Sequence, residues 1–165
     1  MGKEKKLKLT IFKDAQLTVK GIFDIFKVRE EIARAIQEKK YFMIEKGNSV
    51  RVLPEGKEYE AEFNAFKKVD NYVKFVLTIK FLIRNFNEVE YEGKVLGSGI
   101  ATISFTSEVE KDYKSKFGQV GFKNFIRELM EKYLIKDKLL AREGQLYKET
   151  VDVMNAAKNV LEMYI

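Results

Sequence analysis

From residue 72 to residue 84 apolar side chains recur at every second position: Val73, Phe75, Leu77, Ile79, Phe81 and Ile83. That is the period of a strand with one buried face. Lys74, Thr78, Lys80 and Arg84 take the other face, interrupted by Val76 and Leu82. At about 3.3 Å per residue the stretch runs roughly 40 Å, so it should curl or carry a bulge. Before it, Tyr59, Ala61, Phe63 and Ala65 alternate with Glu58, Glu60, Glu62 and Asn64. The dipeptide Asp70-Asn71 between the two runs tolerates positive φ and predicts a hairpin with a two-residue loop.

Other segments fall around this hairpin. Leu7, Leu9 and Ile11 alternate and predict the first strand, at an edge or paired end. Over 21–39 the period lengthens: Ile22, Ile25, Phe26, Ile32, Ala33 and Ile36 form a helical stripe interrupted by Arg29, with Asp24 as N-cap. A strand over 41–45 should end at Gly47-Asn48, with a short extended piece at Val50 and Val52 closed by Pro54 and Gly56. Asn85 and Asn87 predict a break, Val89 and Tyr91 a shorter strand, and residues 96–99 a turn before a last strand carrying Ala101, Ile103, Phe105 and Val109. Phe122, Phe125, Ile126, Leu129, Met130, Tyr133 and Leu134 then mark a second helix. After a break at 136–138, a long final helix is expected over about 143–164. The fold class is α+β: a curved antiparallel meander with an N-terminal helix and two C-terminal helices packed on one face.

A chain of 165 residues fits one domain over 1–165, with a flexible basic lead at 1–6. No stretch approaches the roughly 20 apolar residues of a membrane span, and the charged start does not read as a signal peptide, so a cytoplasmic location is expected. Absence of His and Cys removes the commonest general base, thiolate nucleophiles and the usual transition-metal ligands. The chain reads as non-catalytic, without metal or other cofactor. Acidic residues two apart, such as Glu58, Glu60 and Glu62, share a strand face suited to a hard cation or acid–base work, but a solvated outer face explains them better.

Charge offers one functional lead. The formal +6 favours an anionic partner: nucleic acid, the ribosome or an anionic membrane surface. The candidate anion-binding residues are Lys111, Lys114 and Lys116, with Lys3, Lys5, Lys6 and Lys8 at the start.

Element order offers another lead. A first strand, an early helix, an antiparallel meander and a long C-terminal helix resemble the helix-grip, or START-like, family over most of the chain, with an extra helix before the last. That resemblance implies a sheet gripping the final helix around an apolar cavity for a hydrophobic small molecule. Phe63, Phe75, Phe81, Phe105, Met130, Met154 and Tyr164 would line it. Core packing accounts for the same residues. Separately, GIATISFTSEVEKDYKSKF followed by FIRELMEKYLI is similar to small uncharacterised archaeal proteins, which implies an archaeal source and no activity. Of the two functional readings, the charged surface leads because the charge is in the sequence itself.

Overall fold

The structure, a computed structural model, describes residues 7–113 and 121–164. The chain forms β1 (Leu7–Phe23), α1 (Ile25–Glu38), β2 (Phe42–Leu53), β3 (Gly56–Lys68), β4 (Val73–Tyr91), β5 (Lys94–Lys111), α2 (Gly121–Tyr133) and α3 (Lys136–Leu161), then a 3₁₀ turn, Glu162–Tyr164. The strands make one antiparallel sheet in the order β1-β5-β4-β3-β2. Strands β2 to β5 are thus a meander, and β1 pairs with the free side of β5. The α+β class follows directly from this arrangement.

The alternation that predicts β4 is the alternation that builds the core. Phe75 and Ile79 are fully buried, and Val73, Leu77, Phe81 and Ile83 nearly so, while Lys80 and Arg84 on the other face are exposed. Helix α1 closes the buried face with Val28, Ile32 and Ile36, and α3 does so with Leu146, Val153, Ala157 and Leu161. Asp24 caps α1, its carboxylate accepting the Lys27 N–H at 3.1 Å.

Several expected breaks are bulges within longer strands. Strand β1 continues past Ile11. It runs to Phe23 because register shifts around Phe12, with Asp14 at φ 49°, reset the alternation so that Ala15, Leu17 and Val19 continue it. Residues 47 and 48 likewise lie inside β2, after a shift between Glu45 and Gly47. Asn85, at φ 54°, sits in a bulge of β4, and β5 passes straight through 96–99. The glycines there serve close packing: a Cβ at Gly97 would strike the Phe86 ring, and one at Gly99 the Arg84 carbonyl. The β4–β5 turn instead uses Glu92 and Gly93, both at positive φ.

The β3–β4 hairpin forms as expected, but its connection is four residues, 69–72. The Asp70 carboxylate accepts the N–H groups of Tyr72 and Val73, both at 2.8 Å, so a side chain replaces the tight backbone turn. Helix α3 also begins at Lys136, earlier than expected. Leu134 and Ile135 alone separate it from α2.

Candidate functional site

Helices α2 and α3 meet in an elbow at one end of the sheet. The N–H groups of Leu134 and Ile135 both reach the Met130 carbonyl, at 2.9 and 3.1 Å, which ends α2. The elbow is anchored by polar contacts. Glu131 accepts the Tyr72 hydroxyl and the Lys111 ammonium, the latter at 3.1 Å, and Arg127 is buried. Lys138 and Arg142 lie 3.5 and 3.7 Å from the Asp70 carboxylate.

These anchors decide which way α2 faces. With Arg127 and Glu131 turned inward, Phe125, Leu129 and Tyr133, spaced by four, form a stripe that faces solvent; Tyr133 is 68% exposed. Leu134 at the corner is 80% exposed, and Leu140 on α3 is 54% exposed. Lys132 and Lys136 line the same concave corner as Leu140, together with Glu128, Glu131 and Glu143, and neither lysine is in an ion pair among the described residues. Residues 111–142 hold nine Lys and Arg against four Asp and Glu, a net +5 out of the chain's +6. In sequence, then, the excess charge and the exposed apolar side chains fall in one segment, although Lys111, Lys138 and Arg142 there are held in ion pairs.

The cations singled out in the sequence are placed differently. Lys111 is committed to Glu131, and Lys8 to Glu108 at 3.2 Å. Lys3, Lys5, Lys6, Lys114 and Lys116 lie outside the described residues, as does the basic lead.

The proposed cavity residues separate into groups. Phe75 and Phe105 are sealed in the core, and Met154 packs at its margin. Met130 faces a small hollow beside Tyr72 and Val73, and Tyr164 meets Tyr91 edge to face at 5.6 Å. Only Phe63 and Phe81 border open space under α1. Two hollows of about 190 and 230 Å³ lie between α1 and the sheet, sharing Arg29 and Phe81. The Arg29 guanidinium covers the Phe63 ring at 5.1 Å and lies 4.0 Å from Glu45. On the opposite face of the sheet lies a wider, open trough of about 640 Å³ of mixed character, with Gln16, Ser49, Glu60, Glu62, Lys80 and Ser104 beside Ala61 and Leu82 on its walls. Among the described residues no group of three or more Asp or Glu is placed to hold a metal ion.

A half-buried polar cluster on α3 is structural. Glu149 of α3 accepts the Tyr41 hydroxyl and the Lys67 ammonium, both at 2.6 Å, and the Gln145 amide at 3.1 Å. Burial, then the Glu149 hydrogen bond and charge, push the Tyr41 phenol far above its ordinary range. Tyr72 is raised in the same way, by burial first and then by Glu131. Burial would raise Asp70, yet the N–H groups of Tyr72 and Val73, with Lys138 and Arg142 nearby, hold it below the usual carboxylate value. Both tyrosine–glutamate–lysine triads tie a C-terminal helix to the sheet.

No protein-family model matches the chain, and no curated protein matches it. No helix among the described residues is long and apolar enough to cross a membrane.

The outward stripe on α2 was missed because helical periodicity reveals that a stripe exists but not what it faces. The one available signal was the local charge excess around it.

Proposed function

We propose that this protein is a non-catalytic binding module that docks on an anionic membrane surface through the elbow of α2 and α3. The observation that carries this reading is the solvent-facing Phe125, Leu129 and Tyr133 stripe beside Lys132 and Lys136. An amphipathic helix lying in the lipid interface needs apolar side chains entering the acyl boundary with cations beside them. Each lysine near an anionic leaflet contributes about 1 kcal/mol, and burial of apolar surface adds about 25 cal/mol per Å². Nucleic acid would use the lysines but leave Leu129, Leu134 and Leu140 in water, so it accounts for less of the surface.

Vesicle sedimentation tests the proposal. Binding to phosphatidylserine-containing vesicles should exceed binding to neutral phosphatidylcholine and weaken with salt. Lys132→Glu with Lys136→Glu, or Leu129→Ser, should each lower the partition coefficient at least about fivefold, roughly 1 kcal/mol. Equal binding to both vesicle types, or RNA binding that Leu129→Ser leaves unchanged, would contradict it.

The hollows beside Phe63 and Phe81 favour a second reading, capture of a small hydrophobic molecule. Each is smaller than the roughly 300–1,000 Å³ of drug-sized sites, so a compact ligand is implied. An apolar probe that raises the melting temperature, with the rise lost in Phe81→Ala, would support this reading by mass action.

A further inference from the structure

We infer that the exposed edge of β2 pairs with β2 of a second copy of this chain, joining two five-stranded sheets across a two-fold axis at Val50. Strand β2 closes the sheet order, so among the described residues no strand pairs with the side turned away from β3, which presents N–H and C=O groups at strand spacing. Another strand can replace water on the whole row at once. The bulge between Glu45 and Gly47 interrupts the first half of the edge, whereas pairing from Gly47 to Leu53 is in unbroken register with β3 and free of proline. Apolar side chains are left in water along this half as well as at Phe42 in the other. Val50 and Val52 are 51% and 78% exposed, and Phe26 of α1, which borders the same hollow as Val50, is 77% exposed.

A second copy is the occupant because this segment complements itself. Antiparallel pairing about Val50 sets Val50 against its own symmetry mate, Ser49 against Arg51, Asn48 against Val52 and Gly47 against Leu53. Residues directly opposite share a sheet face, so the valines of both copies gather on the helix-covered side. No like charges stand directly opposite, and each Arg51 keeps its own Glu58 at 3.9 Å. The two Phe26 side chains then flank the valines, and the open side of each α1 hollow faces its partner. A seven-residue pairing buries less than the roughly 1,200–2,000 Å² of a stable interface, so association is weak and grows with concentration.

Sedimentation equilibrium of the full chain, from micromolar to about 1 mM, tests this together with amide hydrogen exchange. The average mass should rise from 19.3 kDa toward twice that value, with exchange at 47–53 slowing as it does. Val50→Lys places two ammonium groups together on the axis and should raise the dissociation constant at least about tenfold. Thr18→Lys, on the opposite edge strand, should leave it unchanged. A monomer throughout, or association that neither slows exchange at 47–53 nor responds to Val50→Lys, overturns the inference.

Discussion

Replacing Glu149 with alanine removes the single acceptor shared by the Tyr41 hydroxyl and the Lys67 ammonium. Side-chain exposures of 17% for Lys67 and 14% for Glu149 place this pair well out of bulk water. Removing one member of a buried pair costs about 3–5 kcal/mol, chiefly because the other charge stays behind without compensation. Lys67 keeps partial compensation from the Tyr41 and Phe75 rings, 5.1 and 6.0 Å away, so the expected loss is about 3 kcal/mol. For a chain of this size that lowers the melting temperature by about 6–12 °C. Asp152→Ala is the matched control: it breaks the Lys39 pair at 3.0 Å, but with Asp152 45% exposed the loss should stay within about 1 kcal/mol. Urea denaturation of both variants measures the difference. A double variant, Lys67→Met with Glu149→Leu, should recover more than half of the loss. Equal losses in Glu149→Ala and Asp152→Ala would refute the argument that burial makes this contact matter.

Three further predictions follow from the fold. Phe75→Ala, at a fully buried position, should cost about 3–5 kcal/mol in chemical denaturation, whereas Lys80→Ala on the exposed face should stay within about 0.5 kcal/mol. Stability should be insensitive to Tyr41 and Tyr72 below pH about 10 and fall above it, since unfolded tyrosine releases its proton there while the raised phenols in the folded state keep theirs. Denaturation midpoints across alkaline pH check this, and Tyr41→Phe should flatten the decline. Gly97→Ala should cost about 1–3 kcal/mol by forcing the Phe86 ring aside, while Gly144→Ala, where a Cβ meets open space on α3, should be neutral or stabilising.

Strand β4 and the core face were legible because two-residue alternation from Val73 to Ile83 has one reading. Strand ends were not, because Asn, Asp and Gly report local positive φ without saying whether the chain reverses or merely bulges. Asn85 and Asp14 adopt positive φ inside continuous strands, whereas Glu92 and Gly93 adopt it in a true turn. Asp24 was readable as a cap because its partner is three residues away. The cations were not readable as a site, since Lys111 finds Glu131 and Lys8 finds Glu108 only once the chain has folded. Phe75 and Phe105 were indistinguishable from Phe81 by pattern, yet only Phe81 borders a hollow. Leu129 looked like a core residue for a related reason: its stripe became a surface feature when Arg127 and Glu131 took the inward side of α2.

The docking proposal is tested most directly by a nitroxide placed on that stripe. The chain has no cysteine, so Leu129→Cys and Thr18→Cys can each be labelled at a single position, one on the elbow and one on the distant β1 strand. On phosphatidylserine vesicles the label at 129 should gain accessibility to oxygen and lose accessibility to a polar nickel chelate, as a side chain entering the acyl boundary must. The label at 18 should change little. Vesicle-bound protein in which the label at 129 keeps its aqueous accessibility, or in which the label at 18 is the one buried, would contradict docking through the elbow.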